Sequence, residues 1–216
     1  MCDKIATSKE HAPPKCFFPE KKDIPGEDFR KNLISVPSCD EHNSRKSKDD
    51  VYLLSLITAH FENNYVAKSH YSTKIFRALN KDIGLQKKIL QSAHKTSFQG
   101  NNTYVFLVDT ERYLKELSNI ARALYFHEYK EKLINLIQIH SVSLRDSSLN
   151  ERNDVKQFTN ILDHITQEQP LKGNNLKIFS YKCLRIIESS TVIIKMIFYE
   201  NFSVYAFSSN DTMDGY

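Results

Sequence analysis

Five of the six prolines in this 216-residue chain, Pro13, Pro14, Pro19, Pro25 and Pro37, fall within its first 37 residues. Each removes a backbone N–H and sets its ring against the preceding helical turn, so no long helix runs through this stretch. The N-terminal segment must therefore be loop and short strand. A module of roughly 50 residues with little apolar periodicity does not reach stability by burial alone, which leaves a bound metal or docking onto the rest of the chain as its support.

The texture changes near Asp49. "DDVYLLSLITAHFENNYV" sets Val51, Leu54, Ile57 and Phe61 at helical spacing, with Asp49 and Asp50 at the positive end of the helix dipole. Beyond it, "STKIFRALNKDIGLQKKILQSA" predicts helix broken near Gly84, and "NTYVFLVD" predicts a strand after the turn "QGNN". "TERYLKELSNIARALYFHEY" predicts a helix with Leu114, Leu117, Ile120, Ala121 and Leu124 on one face and Asp109 or Thr110 as its cap. "NLIQIHSVSL" alternates like a strand, and "DVKQFTNILDHITQ" is helical. "LKIFSYKCLRIIESSTVIIKMIFYENFSVYAF" predicts three strands with tight turns at Glu188 to Ser190 and Glu200 to Asn201. The expected class is α+β, with a small N-terminal module over residues 1–52. A larger mixed α/β domain over 53–216 is expected to end in antiparallel strands and to act as an accessory domain for substrate or partner binding.

Composition narrows the class further. Hydrophobic residues at 40% and aromatics at 11% are enough for a core, which places the chain among globular proteins. No run of about 18 apolar residues occurs, and Lys4, Lys9 and Glu10 interrupt any signal-peptide layout, so the expectation is a cytoplasmic protein without a membrane partner. The cysteines, Cys2, Cys16, Cys39 and Cys183, are too scattered for a disulfide framework and turn attention to metal ligation. Net charge is only +4, but from Tyr65 to Gln99 seven basic side chains face a single acid, Asp82. Within that stretch Lys74, Arg77, Lys81, Lys87 and Lys88 are candidate phosphate contacts, against the plainer reading of a solvated helix face.

The chemistry-bearing residues lie in the proline-rich segment. Cys39 and His42 form a C-x-x-H pair, a spacing that lets a knuckle turn aim both side chains at one tetrahedral zinc, with Cys2 upstream as a further ligand. Glu10-His11-Ala12-Pro13-Pro14, Asn32-Leu33, Cys39-x-x-His42-Asn43 and Lys46 then follow in fixed order. This order resembles the HNH (His-Me finger) endonuclease family, and "ATSKEHAPPKCFFPE" with "NLISVPSCDEHNSRKSKDD" is similar to uncharacterised bacterial HNH-type proteins. The resemblance covers residues 2 to about 52, roughly a quarter of the chain.

What the resemblance implies is a ββα-metal nuclease module that hydrolyses phosphodiester bonds in DNA. His11 would be the general base, Glu10 and Asn43 would hold one catalytic Mg²⁺ or Mn²⁺, and Asn32 would steady the loop that carries the histidine. Lys46, with Arg45 and Lys48, would face the substrate phosphate. Cys2, Cys39 and His42 would hold a structural Zn²⁺. The family's fourth zinc ligand, expected three residues before Cys2, would fall before Met1. A later start, Cys16 as substitute ligand, and a site that holds zinc poorly all remain open. Two other functions stay beside the first: a non-catalytic zinc knuckle that binds nucleic acid or protein, and an RNA-directed or defence-associated nuclease that acts with a protein partner. Elsewhere His127, Cys183 and the aromatics of the last strands are expected to pack.

Overall fold

The structure is a computed structural model that describes residues 5–39, 47–81, 83–98, 101–105, 107–141 and 149–209. Strands β1 (Ser8–His11) and β2 (Ser35–Ser38) pair antiparallel with His11 opposite Ser35. The 23 intervening positions are irregular apart from one 3-10 turn at Lys15–Phe17, as the prolines require. Helix α1 (Ser47–Thr58) follows, carrying Asp49 and Asp50 in its first turn. It stops at Thr58, so Leu54 and Ile57 are fully buried while Phe61, expected on the same face, is 46% exposed beyond the helix end.

Helix α2 (Tyr65–His70), a π-turn (Tyr71–Ile75) and helix α3 (Phe76–Lys81) come next. Helix α4 (Ile83–Gln91) carries Gly84 in its first turn, so the expected interruption near Gly84 falls between the two helices Phe76–Lys81 and Ile83–Gln91. Strands β3 (His94–Phe98) and β4 (Asn101–Val105) form a separate two-stranded sheet. The first of these was not expected, since the exposed His94 to Ser97 give no apolar alternation to read.

The long helix α5 (Thr110–Tyr129) has the bounds its periodicity predicts. The Asp109 carboxylate accepts from the Arg112 N–H at 3.2 Å, and Lys130 ends the helix in the left-handed region at φ 59°. Beyond it, β5 (Gln138–His140), β6 (Lys172–Asn175), β7 (Phe179–Ile186), β8 (Thr191–Phe198) and β9 (Phe202–Ser208) build an antiparallel sheet in the order β5-β9-β8-β7-β6. Helix α6 (Leu149–Thr166) packs Leu162 against Ile193 and Tyr205 on one face of this sheet. The opposite face carries Ile194, Met196, Phe198 and Val204 into the main core, which explains why "TVIIKMIF" reads as nearly continuous apolar sequence. The class is thus mixed α+β with antiparallel sheets, as expected.

That core does not stop at the sheet. Phe17, Phe18 and Phe29 from the proline-rich segment share one cluster with Leu54, Ile57, Leu117, Phe198 and Phe202. Residue 52 itself lies inside α1. The Phe17 and Phe198 rings sit 5.6 Å apart, and the buried Tyr199 hydroxyl donates to the Phe17 carbonyl at 2.7 Å. Because that hydroxyl has one proton, His70 Nδ1–H must be the donor in its 3.0 Å contact with the same oxygen. The far nitrogen, Nε2, is then bare, buried and without a hydrogen-bond partner among the described residues. Burial, reinforced by the Lys74 charge, pushes the His70 pKa down to about 3.

This neutral histidine gives acid sensitivity with a definite sign. Unfolded, the side chain takes up a proton as the pH falls through its ordinary value near 6.5, whereas the folded protein resists until about 3. Stability should therefore fall as the pH drops from about 6.5, by up to about 1.4 kcal/mol per pH unit for one proton. His70→Gln should show a shallower fall than the parent between pH 6.5 and 4.5 in urea unfolding; equal slopes would refute the neutral state of His70.

Candidate functional site

β1 ends at the candidate base. His11 is half-buried, and its Nδ1 lies 3.3 Å from the carbonyl of Ile34, which also accepts the Ala12 N–H at 3.1 Å. A carbonyl only accepts, so Nδ1 carries the proton and Nε2 of the neutral ring is left with its lone pair. The strand thus presents an imidazole already set in the tautomer a proton acceptor needs. Glu10, one position earlier and half-buried, receives the Ser38 hydroxyl at 3.5 Å from the partner strand. It pairs across the ladder with the buried Val36, which fixes its height on the hairpin.

The loop that supplies the Ile34 carbonyl is held from outside the hairpin. Asn32 adopts the left-handed conformation at φ 53°, which asparagine tolerates better than most residues. Its side chain is exposed and makes no hydrogen bond among the described residues, while its backbone carbonyl accepts from Asn174 Nδ2 at 2.7 Å. Asn175 Nδ2 donates to the Phe29 carbonyl. Asn32 therefore steadies this loop through its backbone. No short-range pattern could have linked it to residues more than 140 positions away.

Cys39 ends β2's extension and is buried at 7% exposure. Cys2, His42, Asn43, Arg45 and Lys46 lie outside the described residues, so the knuckle and the second catalytic metal ligand lie there as well. Among the described residues, no group of three or more His, Cys, Asp or Glu side chains could hold a metal ion. Of the expected donors for a hard cation, the described part contains Glu10, whose carboxylate suits Mg²⁺ or Mn²⁺. Cys16 sits between fully buried Phe17 and the Lys74 ammonium, and burial pushes its thiol up to about 12.

The basic residues divide. Lys74 is turned inward by the π-turn and donates to the Cys16 carbonyl at 3.1 Å, with burial lowering its pKa. Arg77 pairs with Asp23, whose side chain is 1% exposed. Burial by itself would raise the Asp23 carboxyl, but the Arg77 hydrogen bond and charge outweigh it and hold it below the ordinary carboxylate range. These two cations tie the π-turn and α3 to the N-terminal loop. Lys81 and Lys87 are exposed, Lys88 lies in α4, and Lys48 is exposed in the first turn of α1.

Cys183 and most aromatics of the last strands pack as expected, and His127 is half-buried in the last turn of α5. Cys183 is buried in β7 with its thiol 3.9 Å from the Tyr129 hydroxyl, and burial raises it to about 11. Beside His127, Glu128 receives the Tyr181 hydroxyl at 2.6 Å and the Lys172 ammonium, which locks α5 to β6 and β7. Phe179, Tyr181, Phe198, Phe202 and Tyr205 are all at least 95% buried. No family model, no curated protein and no solved structure matches this chain.

The division among the cations is testable. Arg77→Met should lower stability by about 1–2 kcal/mol, less than a fully buried pair because the arginine is half in water. Lys81→Gln should leave stability unchanged and, if it touches phosphate, reduce the salt slope of nucleic-acid binding by about one. Both effects are read from urea midpoints and from binding titrations at several salt concentrations.

Proposed function

We propose that this protein is a metal-dependent endonuclease that hydrolyses phosphodiester bonds in DNA, with the β1–β2 hairpin and the start of α1 as its catalytic module. One observation carries the reading: His11 is fixed by the Ile34 carbonyl in the Nδ1–H tautomer, on an antiparallel hairpin that leads into a helix. A backbone carbonyl behind an imidazole orients a general base, since it sets the ring and fixes which nitrogen carries the proton. The order Glu10-His11, Asn32-Leu33, Cys39-x-x-His42-Asn43 supports the same reading by its resemblance to HNH enzymes.

In this reading His11 Nε2 takes a proton from a water positioned against the scissile phosphorus. The water oxygen bonds to phosphorus as the bond to the leaving alkoxide oxygen breaks. When bound by Glu10 and Asn43, a hard divalent cation supplies positive charge for the phosphate and its leaving oxygen. Lys46, with Arg45 and Lys48, holds the phosphate in line, and the exposed Lys81 and Lys87 are further candidate phosphate contacts. Zn²⁺ on Cys39, His42 and Cys2 would brace the ends of the module that the prolines leave without helix.

Supercoiled plasmid incubated with the full chain and Mg²⁺ or Mn²⁺ should be nicked or linearised, and EDTA should stop it. His11→Ala should slow cleavage by about 10²–10⁴-fold, the range for loss of a general base. Equal cleavage by the two proteins sinks the assignment of His11, and salt-sensitive binding without cleavage by either would favour the non-catalytic zinc knuckle.

A further inference from the structure

The loop behind His11 is held by a strand from the far end of the chain, and the geometry of that strand is unusual. Between Lys172, opposite Tyr181, and Asn175, opposite Phe179, β6 carries one more residue than β7, so the pairing contains a bulge. Gly173 sits at the bulge with φ +129°, and a Cβ there would meet the Phe179 carbonyl oxygen at 2.7 Å. Only glycine fits such a position. In a regular strand, Asn174 and Asn175 would point to opposite faces. At this bulge both amides reach the same loop, Asn174 to the Asn32 carbonyl and Asn175 to the Phe29 carbonyl. A small cleft lined by Ala12, Asn32, Ile34, Gly173 and Asn174 marks where the two parts meet.

The strand is itself anchored. Lys172, at the start of β6, is paired with Glu128 of α5, which also receives the Tyr181 hydroxyl from β7. The path of contacts therefore runs from α5 through Lys172 to the bulge, through the two asparagines to Phe29 and Asn32, and two residues on to the Ile34 carbonyl that sets the His11 ring.

We propose that the bulged edge of β6, through Asn174 and Asn175, is the positioning element for His11: it fixes the Phe29–Ile34 loop and so holds the imidazole with Nε2 presented. The proposal deepens the nuclease reading and rests on it for its catalytic meaning, but its structural claim stands on the His11 tautomer. Asn174 and Asn175 are positioning residues and touch no substrate. Bulges of this kind re-aim side chains beside functional sites, and here the re-aimed groups come from the sheet and not from the hairpin.

The experiment uses the full chain labelled with ¹⁵N-histidine, with nitrogen shifts of His11 read at a pH where the ring is neutral, beside plasmid cleavage with Mn²⁺. The parent should show His11 as the Nδ1–H form. Asn174→Asp, equal in shape but lacking the donor, and Asn174→Ala should show a mixture of tautomers, and kcat for cleavage should fall about tenfold or more with KM little changed. Because Asn174 is exposed, both variants are expected to keep the parent's thermal transition. Adding Asn175→Ala should deepen the tautomer mixing. Retention of the pure Nδ1–H form in Asn174→Asp and in the double variant overturns the proposal whatever cleavage does. Absence of cleavage by the parent removes the nuclease reading alone, and the tautomer result still decides the positioning claim.

Discussion

The contact on which the rest of this structure depends is the docking of Phe17 onto the C-terminal sheet. Its ring packs on Phe198, its carbonyl takes the Tyr199 hydroxyl, and that hydroxyl in turn takes His70 Nδ1–H. A segment with five prolines has almost no backbone ladder of its own, so its order must come from burial and from hydrogen bonds to other elements. Burying Phe17, Phe18 and Phe29 contributes on the order of 2 kcal/mol each by area, which is what a hairpin of four-residue strands lacks. Lys74 on the Cys16 carbonyl and Arg77 on Asp23 then fix the same loop from the side of the π-turn and α3.

The consequence for the site is that its two halves are held by different neighbours. Helix α1 is set against α5 by Arg112, which pairs with Asp49 and lies 4.3 Å over the Tyr52 ring, while the Tyr52 hydroxyl accepts the Asp109 N–H at 2.7 Å. The loop behind His11 is set by β6. Both supports converge on α5, whose Glu128 holds β6 and whose first turn holds α1. The 20-residue helix thus serves as the common frame for the hairpin, and its sharp amphipathicity follows from that duty.

Much of this frame was legible. The bounds of α5, the Asp109 cap, and the three long strands of the sheet follow from period and turn chemistry, because those segments bury one continuous face and their local preferences agree with it. What escaped notice was long-range. Phe61 lies outside α1 because the helix ends at Thr58, where Asn63 Nδ2 donates to the Ile57 carbonyl at 2.6 Å as the chain turns. Lys74 and Arg77 read as free surface charge, since no local pattern reveals that Cys16 and Asp23, more than 50 residues away, claim them. At the candidate site, Glu10, His11 and Asn32 are candidates named by their order, but the group that sets His11 is a backbone carbonyl, and every residue carries one.

This dependence has a functional logic on the nuclease reading. A hairpin with its own rigid core would present a prepared base as soon as the first fifty residues emerged from synthesis. Here the tautomer of His11 depends on Ile34, Ile34 on the loop at Asn32, and that loop on a strand that is made more than 140 residues later. Docking of Phe17 likewise waits for Phe198 and Tyr199. On the positioning proposal, closure of the C-terminal sheet on the loop adds to the hairpin's own Ala12 N–H to Ile34 carbonyl bond in fixing the imidazole. A destabilising change in β6 or at the Glu128–Lys172 pair would loosen His11 without touching the hairpin. On this proposal the integrity of the sheet acts together with the hairpin's own Ala12 N–H to Ile34 carbonyl bond in setting the His11 ring.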